Sequence, residues 1–82
     1  TRIAARAFGP AVAVNAVAPG AILPPPGEGE GYIAEKGGRV PLEVRCEPAD
    51  IARAVAFFLA SDTLTGQVLY VDGGQHLLGT DV

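Results

Sequence analysis

The sequence predicts an α/β fold with parallel strands covered on both faces, and three observations carry that expectation. Residues 14–22, Val-Asn-Ala-Val-Ala-Pro-Gly-Ala-Ile, form an apolar run that ends abruptly in Pro-Gly. A second apolar run at 67–71 is stopped by Asp72-Gly73-Gly74. Between them, residues 48–61 repeat apolar side chains at helical steps. Two strands with a helix crossing between them are parallel, and parallel strands read as continuous apolar runs because helices cover both faces. In open sheets of this kind ligands bind outside the carboxyl ends of the strands, which is where Pro19 and Gly20 would lie.

Each element follows from its residues. In residues 1–8, Ile3, Ala4, Ala7 and Phe8 share one helical face with Arg2 and Arg6 opposite, and Gly9-Pro10 stops the helix. Two turns without a capping signal read as the end of a longer helix. Residues 11–18 are expected to form an inner strand with neighbours on either flank, since Val12, Val14 and Ala16 face one side and Ala13, Asn15 and Val17 the other. A proline- and glycine-rich loop follows over 19–31, stiffened by Pro24-Pro25-Pro26. Residues 32–36 are expected to form a short helix. Val40-Pro41-Leu42 reads as an extended connector, because a residue before proline avoids the helical region.

The clearest helix is expected over 48–61. Pro48 suits a first-turn position, and Asp50 places negative charge at the positive end of the helix dipole. Ile51, Ala54, Val55, Phe58 and Leu59 recur at three- and four-residue steps, with Phe57 on the flank, so the apolar arc is broad. Asp62-Thr63 is a turn, 67–71 a strand, and 75–82 a tail. An isolated pair of parallel strands cannot cover its own faces, so these 82 residues are expected to be part of a larger sheet.

Composition narrows the function. A net charge of −3 with six scattered basic residues argues against a nucleic-acid partner, which would require clustered cations. No run of about 18 apolar residues is present, so no membrane span is expected. A single cysteine, Cys46, excludes an intrachain disulfide and fits a reducing cytoplasm. The chain contains no methionine, and it is expected to begin within a longer protein. With 49% hydrophobic residues, it is expected to pack against more protein than it contains.

Few side chains are candidates for chemistry. A catalytic role for His76 would need an orienting acid, and Asp72 is separated from it by a glycine pair read as flexible; His76 is expected to be an ordinary tail residue. Cys46 precedes a proline helix start, where a dipole lowers thiol pKa values, but a small partly buried side chain is the simpler reading. Glu28, Glu30 and Glu35 lie among glycines that hold no fixed geometry, so they are expected to be solvated and no metal site is expected. At Pro19-Gly20 the useful groups are backbone amides and carbonyls, which a carboxamide pairs with only where no Cβ blocks its approach. A plain turn accounts for the same dipeptide.

The segments Asn15-Ala16-Val17-Ala18-Pro19-Gly20 and Thr65-Gly66-Gln67-Val68-Leu69-Tyr70-Val71-Asp72-Gly73-Gly74 resemble the carboxyl-terminal third of short-chain dehydrogenases/reductases, over nearly the whole chain. The resemblance implies a Rossmann-like doubly wound sheet, of which this chain supplies the last two strands and the helix between them, as the C-terminal portion (1–82) of a single domain. It implies a nicotinamide cofactor, NADP(H) ahead of NAD(H), with the residues that discriminate the two lying after a strand not among these 82 residues. Pro19 and Gly20 would lie against the nicotinamide ribose and ring, with Ala21 beside them, and the backbone of Ile22 would pair with the carboxamide. Asn15 is similar to the family's structural strand asparagine, which ties neighbouring backbone together.

Many members place a threonine near position 24 to contact the pyrophosphate. Pro24 stands here, so that hydroxyl contact is lost. The apolar residues after Pro-Gly resemble the pteridine-reductase branch, which implies that Leu23 and Pro24 line a flat pterin-like substrate site. Residues 27–38 correspond to a substrate lid. The 48–61 helix and the 67–71 strand match elements that build homo-oligomers, and Gln75 to Leu78 would reach a neighbouring subunit. The family's glycine-rich phosphate turn and its Tyr-x-x-x-Lys with partner serine are not found. Tyr32 and Lys36 have that spacing but follow the Pro-Gly strand instead of preceding it, so these residues alone are expected to lack catalytic groups. Two other readings stand beside the reductase: an inactive family member serving as an assembly module, and a small standalone ligand-binding domain.

Overall fold

The computed structural model describes residues 1–20, 22, 26–31 and 40–78. Helix α1 (Arg2–Phe8) leads to strand β1 (Ala16–Pro19), helix α2 (Pro48–Leu59) precedes strand β2 (Val68–Val71), and a 3-10 turn spans Gln75–Leu77. The strands pair in parallel, with Ala16 opposite Val68 and Pro19 opposite Val71. Helix α2 packs across both. The expected α/β architecture with a parallel sheet and an intervening helix is therefore present. The short helix expected at 32–36 lies outside the described residues.

Helix α2 begins at the expected residue, and its cap shows why. Pro48 occupies the first turn, and the Glu47 N–H donates to the Asp50 carboxylate at 2.8 Å, closing a capping box. Arg53 pairs with the same carboxylate one turn on. The helix ends at Leu59, slightly before the expected 60 or 61. Ser61 turns its hydroxyl back onto the Phe57 carbonyl at 2.6 Å, and the Ser61 N–H goes to Phe58 O at 3.1 Å, a tighter closing turn.

Strand β1 starts five residues later than the apolar pattern implies. The reason lies in its partner. Over 14–15 the chain faces the Leu64–Gln67 loop, and side chains supply bonds that a ladder would otherwise make. The Val14 N–H donates to Thr65 Oγ1 at 3.0 Å, while the Gly66 N–H donates to Val14 O at 2.8 Å. Asn15 donates from Nδ2 to Leu64 O and accepts the Gln67 N–H on Oδ1, both at 3.0 Å. This is the backbone-tying role expected of Asn15. Regular pairing begins with Ala16 N–H to Gln67 O at 2.9 Å and closes with Gly20 N–H to Val71 O at 3.1 Å.

The flanking neighbours expected for an inner strand are half present. Among the described residues β1 pairs with β2 alone. The core is correspondingly thin: Ala5, Val40, Cys46 and Ala54 are the buried hydrophobic side chains among those described. Leu59, placed by periodicity on the packed face of its helix, is 83% exposed. It stands at the rim of an open hollow of about 480 Å³ lined by Val17, Val55 and Phe58, because a two-stranded sheet is narrower than the helix's apolar arc.

Candidate cofactor-facing site

The carboxyl ends of β1 and β2 meet at one edge, where polar side chains and backbone groups are densely bonded. Gly20 follows β1 directly. A Cβ on Gly20 would lie 3.0 Å from Asp72 Cα and 3.1 Å from Asp72 Cβ, tighter than most side-chain contacts. The close approach of the two strand ends thus favours a residue without a Cβ here, a reason internal to the chain and different from the ligand access expected of it. Val71 O, between them, accepts both the Gly20 N–H and the Cys46 thiol, the latter at 3.0 Å. Cys46 is buried, as its simpler reading held.

Asp72 is the one buried charged side chain among the described residues. Gly73 and Gly74 take φ of +65° and +95°, a left-handed pair that glycine adopts at little cost. The tight turn they form carries the chain back over the carboxylate. Asp72 then accepts the Gly74 N–H at 3.0 Å and the His76 N–H at 2.9 Å, and His76 Nδ1 lies 3.0 Å from both of its oxygens. Burial alone would raise the Asp72 carboxyl pKa. The His76 side-chain bond, the two backbone N–H donors and the His76 charge outweigh it and hold the carboxyl below its ordinary value.

The His76 ring also stacks on Tyr70, with centroids 4.1 Å apart and planes 16° from parallel. His76 is exposed, as a tail residue would be, but the expectation that it is loosely separated from Asp72 is corrected. The glycine pair does not loosen the link between Asp72 and His76; its positive φ values build it. The Asp-x-x-x-His spacing across Gly-Gly was the available signal.

These residues border an open cleft of about 470 Å³ formed by Ala18, Pro19, Gly20, Tyr70, Gln75 and His76. Of the positions assigned to a cofactor or substrate, Pro19 and Gly20 line this cleft, and Ile22 follows two residues on. Ala21, Leu23 and Pro24 lie outside the described residues. Glu28 is exposed, and Glu30 is exposed but held by Arg45 at 2.9 Å. Arg45 was not singled out by the sequence, since a lone arginine in a connector carries no pattern. Among the described residues no group of three potential metal ligands converges, and no helix is long and apolar enough to cross a membrane.

Comparison with known proteins agrees with this architecture. A family model described as enoyl-(acyl carrier protein) reductase matches residues 1–76. A ketoacyl reductase of the granaticin polyketide synthase of Streptomyces violaceoruber is 45% identical over 82 residues, covering 95% of this chain and 33% of that protein. The short-chain dehydrogenase/reductase homolog YusR of Bacillus subtilis is 33% identical over 78 residues, covering 94% of this chain and 60% of that protein. Among solved structures, FolM alternative dihydrofolate reductase 1 from Brucella suis, in complex with NADP, superposes with a TM-score of 0.90 at 35% identity. That match covers 98% of this chain and 32% of FolM. The chain thus spans about a third of the length of the ketoacyl reductase and of FolM. With its parallel strand pair, its helix and the matched residues in agreement, the chain belongs to the short-chain dehydrogenase/reductase family.

Proposed function

We propose that this chain is part of an NADP(H)-dependent oxidoreductase that reduces a carbonyl or a pterin-like C=N bond by hydride transfer. The observation that carries the reading is the cleft at the carboxyl ends of both strands, the edge where open α/β sheets bind their ligands. Its volume of about 470 Å³ lies within the range of small-molecule sites. FolM, a relative in structure, binds NADP, which favours NADP(H) over NAD(H). Pro19, Gly20, Ala21 and Ile22 would form one wall of the nicotinamide pocket, and Leu23 and Pro24 an apolar wall for the substrate.

The donor set fits that assignment. The Gly20 N–H is consumed by Val71 O, so Gly20 offers contact surface and no amide donor. Among the described residues the Ile22 carbonyl accepts one bond, from Arg45 at 3.2 Å. A carbonyl oxygen has two lone pairs, and the second would take a carboxamide N–H. When bound, the nicotinamide supplies the hydride. The chain's own residues orient the ring, exclude water from one side and hold the carboxamide. Residues 27–38 would close over the substrate, and α2 with β2 would join copies into an oligomer.

The test is a titration of the full-length protein with NADPH and NADH, followed by turnover with a dihydropterin and with a simple ketone. Saturable NADPH binding with turnover of either substrate is the expected result. The apolar surface that α2 leaves exposed favours a second reading, an inactive family member acting in assembly. Defined oligomers with no binding of either cofactor would establish it in place of the reductase.

A further inference from the structure

Arg45 lies in the connector that leads into α2, and its guanidinium reaches three separate segments. Nη1 donates to Glu30 Oε2 at 2.9 Å, Nη2 donates to the Ile22 carbonyl at 3.2 Å, and Nε sits 3.6 Å from Glu47 Oε1. One planar fork thus joins the residue two beyond the Pro19-Gly20 turn, the Glu30 end of the following loop, and the cap of the helix. Only arginine has the several fixed donors this requires.

What the clamp does follows from exposure and charge. The Glu30 side chain is 71% exposed and that of Arg45 38%, so the ion pair contributes little to stability by itself. Two carboxylates already face this one cation, which leaves it poorly suited to hold a phosphate. What remains is orientation. Without Arg45 the Ile22 carbonyl would lose the partner that fixes its direction; with it, one lone pair is occupied and the carbonyl direction is set.

We propose that Arg45 is a positioning residue for the nicotinamide end of the cofactor, acting through the Ile22 carbonyl. The inference rests on the reading that the Ile22 backbone pairs with the nicotinamide carboxamide. Arg45 touches no reacting atom. It fixes the acceptor that receives the carboxamide N–H, and the Glu30 contact stops the guanidinium from swinging away.

The experiment is calorimetric titration of the full-length protein with NADP⁺ and with its 3-acetylpyridine analogue, whose acetyl group has no N–H to donate. Arg45→Met is expected to weaken NADP⁺ binding about tenfold, the scale of one hydrogen bond lost together with its ordering, and to leave the analogue within about twofold. Glu30→Gln, which keeps the Ile22 bond and loses the ion pair, is expected to cost NADP⁺ about two- to threefold, again sparing the analogue. Should Arg45→Met fail to fold, Glu30→Gln and Arg45→Lys carry the same comparison. Equal weakening of both ligands, or weakening of neither, overturns the proposal and makes Arg45 a structural strap. If the wild-type protein binds neither ligand, the nicotinamide reading itself has failed, and the inference falls with it.

Discussion

The two ends of this small sheet differ in how complete they are. At the carboxyl edge, Gly20, Cys46, Val71, Asp72, Gly74 and His76 satisfy one another within a few ångströms, and no buried side-chain polar atom lacks a partner among the described residues. Along α2 the opposite holds. Val55, Phe57 and Leu59 are exposed, and the hollow between helix and sheet is open. The contrast has a physical origin. A hydrogen bond is short and directional, so a turn can complete it from residues a few positions away. Burying an apolar face takes a wide opposing surface, and two strands do not provide one. These residues close their polar network by themselves and leave their apolar packing open.

The largest effect should come from crowding the finished end. Gly20→Val places a branched side chain 3.0 Å from the Asp72 backbone, and making room for it strains the Gly20 to Val71 bond. A loss of about 3 kcal/mol is expected, at the upper range for overpacking, read as a lowered urea midpoint in the full-length protein. A loss near zero would mean that the strand ends are not jammed together and that their close approach does not require glycine at position 20.

Next in size is Asp72→Ala, which strands the Gly74 and His76 N–H groups and frees the His76 ring. About 2 kcal/mol is expected, the cost of leaving two part-buried donors unpaired. The effect has a pH signature. The folded carboxyl titrates below its ordinary value of 3.8, so its stabilising contribution is complete above that value and fades as pH falls through the lower, folded pKa. The gap in urea midpoint between wild type and Asp72→Asn should therefore narrow in acid below about pH 4. A gap that widens on acidification would contradict a lowered pKa.

Smaller again is Asn15→Ala, expected to cost about 1–2 kcal/mol by losing two bonds to the Leu64–Gln67 loop. This residue shows how unevenly the chain reads. Its structural role was legible from the family resemblance, and α2 was legible from Pro48, Asp50 and its periodicity, because capping and amphipathicity are local. The start of β1 was not legible: residues 11–15 are as apolar as a strand, but where pairing begins depends on a partner some fifty residues away. The Asp72–His76 clasp was hidden for a different reason. Gly-Gly advertises freedom in the unfolded chain, and only the folded φ values show that freedom spent on a tight turn. Of the site, Pro19 and Gly20 stand at the strand ends where the apolar run stops, a position readable from the pattern alone. The crowding at Gly20 and the reach of Arg45 are three-dimensional facts.

The smallest effect within the chain itself should be at its unfinished face. Leu59→Ser removes a side chain that is 83% exposed, so within these residues it breaks almost nothing, and a change under about 0.5 kcal/mol is expected for a free surface. Its value is in what covers that face. If α2 joins copies of the protein, the full-length variant should keep its urea midpoint under dilute, monomeric conditions while light scattering shows smaller species at working concentration. If other parts of the same protein cover Leu59, the oligomer should stay intact and the midpoint should fall by about 2 kcal/mol or more, the worth of a buried leucine. The two outcomes assign the open side of the comparison to association or to folding, and no change in either measurement would show that the exposed leucine is left to solvent.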